Sequence, residues 1–437
     1  MEKSNFIKLV VGTGTVQVTG KVLTVIFGIL LARNLGADDY GKYAYLLSII
    51  TLISLPVIAG LPQLILREVS NLRQKKDIGG IKNILSFSRS FIIIIGTLFF
   101  AISCLVFKYF EFDSVISFSV FSILSTLIFL RGILVRNSAI INAYEKTKLS
   151  QLPLVLIVPT VNISIFSIYY WSGRDVDVDF AIVSMAVSTV LAVLVSQVIM
   201  MNVTKLDKKI VKNKKDIRKW LVSLIPFSLL TIITTFNSEL GVIFLGFFSE
   251  ETSVAYFKVG AQAILIVTIG QQAINTLISP KIARLYKSGD LITTQRMLSK
   301  SVRVSCVYGL IVCGTFVFFG DFIIVNIFGR EYSDAVDVVN VLLIGQAFNI
   351  MSGSVAIVLN MTGNENRTLK AQLITVIITV CVLFIIVPAN GHIGAAWALT
   401  LSLIIWNSLM SYDVYKITGL KCWIFGDFWN KNEKFNL

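Results

Sequence analysis

Two ionisable residues stand deep inside apolar runs, where an uncompensated charge is costly. Lys21 lies in the run 9–31 and Glu239 in the run 221–247. Lys21 extends a polar series, Thr13, Thr15, Gln17 and Thr19, that a helix facing hydrocarbon would not be expected to carry. At 1.5 Å per residue it sits roughly 18 Å into its run. Glu239 follows Asn237 and Ser238. Two chemistries are open to these residues. They can pair and hold two helices together, or they can line a polar lumen. In such a lumen Lys21 and Gln17 attract an anionic group while Glu239 binds a coupling cation. Gln271, Gln272 and Asn275 fall within about one helical turn and suit either a hydroxyl-rich ligand or helix-to-helix hydrogen bonds. Asn162, Gln197, Gln262, Gln346, Asn349 and Asn407 face the same choice. Arg131, Lys258, Asp337 and Asp413 lie near run ends, from which they can snorkel to an interface; Arg131 is also a candidate ligand for an anion.

Enzyme chemistry finds little support. The sequence contains no GxxxxGK[ST] phosphate loop, no HExxH and no GxSxG elbow. Its single histidine, His392, cannot by itself build a base or a metal site. The five cysteines form no CxxC pair, so neither a zinc site nor a disulfide framework is expected. No cofactor is expected. Val11-Gly12-Thr13-Gly14 lacks a preceding strand and reads as close helix packing, not as a dinucleotide loop.

The elements that position these residues follow from composition. The chain has 437 residues, 55% of them hydrophobic and only 15% charged, with a mean hydropathy of +0.79. Soluble domains average about 25% charged residues. Twelve apolar runs are present, at 9–31, 43–62, 90–107, 114–134, 152–170, 180–201, 221–247, 254–278, 302–319, 335–360, 371–387 and 394–415. Each is near the ~20 residues that span a bilayer as a helix. The runs are continuous, not alternating, which excludes a β-barrel. The first is too long and too polar for a cleavable signal peptide. The expected class is an all-α polytopic membrane protein.

The formal net charge of +14 is an orientation signal. With the N-terminus in the cytoplasm, thirty of the 39 cations fall in the even connections and the tails, and Arg303 lies just inside the run that follows one of them. The odd connections hold only Arg33, Lys42, Lys108, Arg174 and Arg330, and are instead rich in acids such as Asp38, Asp39, Asp175, Glu250, Glu331 and Asp334. Cationic loops stay inside, so both termini are expected to be cytoplasmic. The basic stretch 202–220 lacks interleaved aromatics and reads as a linker touching anionic membrane lipids, not as a nucleic-acid site. It separates a six-helix lobe at 1–201 from a second at 221–415, followed by a cytoplasmic tail at 416–437. The lobes carry traces of duplication. A shift of 213 places Asp38 on Glu251, Tyr43 on Tyr256, Asp77-Ile78 on Asp290-Leu291 and Ser88 on Ser301. Six spans per lobe make the repeats parallel, with a cavity expected between them.

Leu35-Gly36-Ala37-Asp38-Asp39-Tyr40-Gly41-Lys42-Tyr43 resembles the L-G-x-x-x-Y/F-G-x-Y pattern of polysaccharide repeat-unit (O-antigen type) flippases. These belong to the multidrug/oligosaccharidyl-lipid/polysaccharide exporter superfamily. Gly14-Thr15-Val16-Gln17, Gly20-Lys21, Ser279-Pro280-Lys281-Ile282-Ala283-Arg284-Leu285-Tyr286, Phe328-Gly329-Arg330-Glu331-Tyr332 and Gly394-Ala395-Ala396-Trp397-Ala398 extend the likeness from about residue 5 to 415. The resemblance implies twelve helices in two parallel six-helix repeats forming a V-shaped transporter. It further implies alternating access, a lumen lined by spans 1, 2, 7 and 8, and a coupling ion, H⁺ or Na⁺. The implied substrate is an undecaprenyl-diphosphate-linked O-antigen or similar unit, moved across the bacterial inner membrane. Other polysaccharide-assembly membrane proteins are implied partners. A multidrug and toxic-compound cation antiporter shares the architecture, but its lumen should be dominated by carboxylates. A polysaccharide polymerase or ligase would usually carry a large outer loop with Arg or His, and here these loops are short.

Overall fold

A computed structural model describes residues 3–109, 117–204, 217–424 and 426. In hydrocarbon a helix can bond all of its own backbone groups, and the apolar runs fold accordingly. The helices are α1 (Lys3–Ile58), α2 (Leu61–Gln74), α3 (Ile78–Tyr109), α4 (Phe118–Ala143), α5 (Thr147–Gln151), α6 (Val158–Trp171), α7 (Val178–Thr204) and α8 (Ile217–Phe248). They continue with α9 (Glu251–Lys287), α10 (Leu291–Ile327), α11 (Ala335–Ser352), α12 (Val355–Met361) and α13 (Glu365–Thr418). A π-helical turn at Leu152–Ile157, holding Pro153, joins α5 to α6. No strand occurs among the described residues. Among the described residues ten stretches are long and apolar enough to cross a membrane. The chain is a multi-pass membrane protein.

Two of these stretches are interrupted by a glycine in a conformation that a Cβ would strain. Gly36 (φ 78°, ψ 170°) breaks α1, and Gly391 (φ 49°, ψ −131°) breaks α13. The predicted loop 35–43 is thus helical on either side of one residue. The predicted run 335–360 is corrected in the opposite sense. Gly353 (φ 72°, ψ −154°) ends α11, and the remainder forms the separate α12. The basic segment predicted to connect runs 254–278 and 302–319 is largely helical, because α9 extends to Lys287 and α10 begins at Leu291. Asp290 caps α10 by accepting the Thr293 N–H at 3.0 Å, and this bond holds its carboxyl below the usual carboxylate range. Asp77 caps α3 in the same way, accepting the Gly80 N–H at 2.8 Å.

The chain forms two compact units, Met1–Leu35 with Lys42–Glu239 and Gly36–Gly41 with Leu240–Leu437. Leu61, Leu64, Ile65, Ile84, Ile140 and Trp220 are buried in the core of the first. Ile282, Leu298, Val358, Met410 and Val414 fill that of the second. Large apolar side chains also point outward, among them Leu194 and Val198 on α7 and Leu310, Phe318 and Phe322 on α10. This is the surface a lipid-embedded protein presents. Trp171, fully displayed at the end of α6, suits a membrane interface.

Of the basic linker, 202–204 and 217–220 are helical, while Lys205, Lys208, Lys209, Lys212, Lys214 and Lys215 lie outside the described residues. The first residues beyond α13 pack onto the second unit. Gln295 accepts the Lys421 N–H at 2.8 Å and donates to the Lys421 carbonyl at 2.8 Å. Burial pushes the Cys422 thiol up to about 12, and the cysteines are unpaired thiols. Residues 425 and 427–437 of the tail lie outside the described residues, as do Glu111 and Asp113 of an outer connection.

Gly36→Ala should cost about 1–3 kcal/mol through backbone strain. A lowered melting temperature of the detergent-solubilised protein would register it, whereas an unchanged one would show that the break does not require glycine.

Candidate functional site

Helix α4 carries two arginines five residues apart, Arg131 and Arg136, and they are treated very differently. Arg136 is committed on all sides. Its Nε donates to Ser88 Oγ at 2.9 Å, Nη1 to Asn137 Oδ1 at 3.0 Å and Nη2 to the Leu85 carbonyl at 3.1 Å. Ser88 spends its own proton on the Leu85 carbonyl, which leaves its oxygen free to accept. Arg136 therefore fastens α4 to α3.

Arg131 makes one hydrogen bond among the described residues, from Nη1 to Thr51 Oγ1 at 2.8 Å. Thr51 donates back to the Leu47 carbonyl at 2.7 Å, again leaving an acceptor for a guanidinium. Arg131 is half-buried and interacts electrostatically with Tyr43 and Glu239. Glu239, nine residues before the end of α8, accepts from Ser48 Oγ at 2.7 Å. Ser48 and Thr51, three residues apart on α1, lie on one face of that helix. Tyr43, Ser48 and Thr51 from α1, Arg131 from α4 and Glu239 from α8 thus form one cluster inside the first unit. It holds a cation, an anion, a phenol and two hydroxyls. A guanidinium has five N–H donors in a planar fork, and most of this one's are uncommitted. The arrangement can take a phosphate-like anion at Arg131 and a cation at Glu239.

The amides of the second unit are mostly spent on packing. Asn349 on α11 donates to Gln271 Oε1 on α9 at 3.0 Å and to Gln346 Oε1 at 3.2 Å. Asn407 on α13 donates to Asn349 Oδ1 at 3.0 Å. Ser354 donates to Asn275 Oδ1. Gln272 is exposed. Of the three predicted amides on α9, only Gln272 turns outward. In the first unit, Asn162 accepts from Ser188 at 2.8 Å and from Ser184 at 3.3 Å. Asn137 donates to Ser196 at 3.0 Å and to Gln197 at 3.1 Å.

Lys21, Gln17, Arg131 and Glu239 therefore belong to the first unit, and Gln271, Gln272 and Asn275 to the second. Lys21 is half-buried and Gln17 exposed on α1. The position of Arg131 near a run end favoured snorkelling, but its guanidinium turns to Thr51 instead. Tyr43, Ser48 and Thr51 were not singled out as site residues from sequence. Tyr43 stood out only as a motif residue, and Ser48 and Thr51 only as the first two of three hydroxyls, with Ser54, spaced three residues apart in the run 43–62. The second unit gathers motif residues of its own. Glu331 accepts the Ala37 N–H at 3.3 Å, and the buried Tyr332 meets Tyr40 and Tyr256 edge-on, each at 6.4 Å. His392 sits beside Tyr256 at 5.2 Å and 3.4 Å from Ser253 Oγ. Among the described residues no group of three or more His, Cys, Asp or Glu side chains is placed to hold a metal ion.

Two solved structures share this arrangement of helices. An inward-facing multidrug resistance MATE family transporter of the MOP superfamily superposes with a TM-score of 0.73 at 12% identity, covering 92% of this chain and 95% of its own. Lipid II flippase MurJ, in an inward closed conformation, gives 0.72 at 13% identity, covering 92% and 87%. The chain shares the fold of these two proteins. The Capsular polysaccharide biosynthesis protein CapF of Staphylococcus aureus is 24% identical over 192 residues, which is 42% of this chain and 48% of that protein. The chain thus spans about half the length of this curated relative. Residues 7–286 match the family described as Polysaccharide biosynthesis protein, and the chain belongs to it.

The contrast between the two arginines is measurable. Arg136→Ala should destabilise the purified protein by roughly 2–4 kcal/mol, since it strips several charge-assisted hydrogen bonds. Arg131→Ala, which removes one such bond, should cost distinctly less. Equal losses in a thermal-unfolding comparison would show that Arg131 is as structural as Arg136.

Proposed function

We propose that the protein is a flippase carrying an undecaprenyl-diphosphate-linked oligosaccharide, the repeat unit of an O-antigen, capsule or similar glycan. It moves this unit from the cytoplasmic to the periplasmic leaflet of the bacterial inner membrane by ion-coupled alternating access. The observation that carries this reading is Arg131, a half-buried guanidinium in a spanning helix with most of its donors uncommitted. Such a fork matches the oxygens of a diphosphate. Lys21 and Gln17 on α1 join it as substrate ligands, the exposed Gln272 of α9 meets the glycan while Gln271 and Asn275 hold α9 to its neighbours, and Glu239 serves the coupling ion. Family membership agrees with a polysaccharide cargo, and MurJ supplies the precedent of a lipid flippase on this fold. A cationic-drug antiporter, the other occupant of the fold, is disfavoured because the guanidinium would repel its substrate.

The twelve-span, two-repeat architecture belongs to the same reading. Breaks at Gly36 and Gly391 turn two of the ten long stretches into four. Backbone positions with positive φ recur in the two halves, Lys76 with Gly289, then Glu145 with Gly363 and Gly173 with Gly391. The first pair is 213 residues apart and the other two 218. Asp77 and Asp290, the helix caps next to the first pair, share the offset of 213. Offsets that recur at such special backbone sites, with one shift of five residues between the first pair and the next, support an internal duplication. The charge asymmetry of the loops supports cytoplasmic termini.

Deletion of the gene should abolish surface glycan and leave intact lipid-linked repeat units on the cytoplasmic leaflet; unchanged glycan with new drug sensitivity would refute the flippase reading. In the complemented strain, Lys21→Ala should reach the membrane yet restore little glycan, and Lys21→Arg should restore more. Full restoration by Lys21→Ala removes that residue from the site. Transport that is indifferent to Glu239→Gln removes the ion-coupling role.

A further inference from the structure

The cluster around Arg131 has more hydrogen-bonding capacity than it uses. Among the described residues the guanidinium donates only to Thr51. The Glu239 carboxylate accepts only from Ser48, through one of its two oxygens. The Tyr43 side chain is buried and interacts electrostatically with Arg131. A pair serving only to fasten helices would be bonded as Arg136 is, through every face of the fork. Here the two opposite charges are bonded to hydroxyls three residues apart on α1 and interact electrostatically, while each keeps uncommitted positions.

We propose that Arg131 and Glu239 form an exchangeable counter-ion pair, in which the guanidinium passes from the carboxylate to the substrate's diphosphate and Glu239 then takes a monovalent cation. This rests on the flippase reading and adds the regulation of that site. At rest the carboxylate offsets the guanidinium's charge. An arriving diphosphate offers a bidentate partner of higher charge and takes the fork. The carboxylate, held by one serine hydroxyl, is left beside an anion, and a cation at Glu239 relieves the repulsion. Because coupling between two sites is reciprocal, the cation must tighten diphosphate binding by the same factor that diphosphate tightens cation binding. The charged and titratable groups facing Arg131 are Tyr43 and Glu239; Arg131 and the Ser48 hydroxyl face Glu239.

The test uses the full-length protein in nanodiscs, with farnesyl diphosphate and inorganic pyrophosphate as probes. Dissociation constants are measured with Na⁺ present or replaced at fixed ionic strength, and again at lower pH without Na⁺. Wild type should bind farnesyl diphosphate about tenfold tighter when the effective cation is present, within the usual range of coupling factors. The Na⁺ and pH arms tell which cation it is. E239Q should bind that tightly under every condition, having lost the competing charge and the cation dependence together. R131A should lose at least about tenfold in affinity, and R131K should fall between. Either order of affinity between the two probes supports the exchange, and the order shows whether the prenyl chain contributes. Size-exclusion profiles confirm that each variant is folded. Should E239Q bind like wild type and keep its cation dependence, the exchange is overturned while the flippase reading stands. Should wild type bind farnesyl diphosphate no better than R131A, both fall.

Discussion

Hydrocarbon offers no hydrogen-bond partner, and most of this structure follows from that constraint. Backbone groups are satisfied within helices, so the apolar runs have little choice of conformation. Hydroxyl side chains obey the same rule by donating to the carbonyl one turn back. Thr24 does so to Gly20, Thr51 to Leu47, Thr97 to Ile93, Thr315 to Ile311 and Thr375 to Ala371. Once its proton is spent in this way, a serine or threonine oxygen is an acceptor fixed on the helix surface. Thr51 and Ser88 are used as such, each receiving one arginine from α4. The residues that make helices self-sufficient also create the docking points for the few cations among them.

The same rule separates structural polar residues from available ones. Asn349 ties three helices together by bonding Gln271, Gln346 and Asn407, and Asn162 binds two serines of α7. Small side chains along α7, such as Ser184, Ser188, Ala192 and Ser196, are buried, which allows the close approach these bonds need. Against this background an arginine with one bond and a glutamate with one bond stand apart. Lipid-facing packing does not require them, and helix-to-helix fastening is accomplished elsewhere.

Much of the fold was legible in the sequence because hydropathy reports the solvent directly. The runs ending near Ile58 and beginning near Glu251 and Ala335 were readable for that reason. Breaks at Gly353 and the helical continuation through Lys281 and Arg284 were not, because they depend on backbone geometry and on polar helix outside the membrane. At the site, the cost of burying charge made Lys21 and Glu239 conspicuous. Sequence spacing could not show that Glu239 meets Ser48 while Arg131 meets Thr51 one turn further along α1, because contacts among α1, α4 and α8 are set by tertiary packing. Nor could composition tell that Gln271 and Asn275 bond neighbouring elements of the second unit while Gln272 lies exposed. Their identical chemistry hides the difference until their neighbours on α11 and the Gly353 break are placed.

An arginine kept for an anionic ligand poses a problem in a spanning helix, since without the ligand its charge is costly to hold. Committing the fork to backbone and side-chain acceptors, as at Arg136, removes the cost and also the function. Placing a carboxylate nearby meets both needs if it offsets the charge without occupying every donor. Glu239 does this from α8 while anchored only by Ser48, and Thr51 holds a single corner of the fork. Lysine would serve less well at position 131, because its compact ammonium lacks the planar fork that can present several donors to one anion while a corner stays docked. The weak anchoring of both partners, which would be a defect in a structural ion pair, is what allows the guanidinium to change partners without separating α1, α4 and α8.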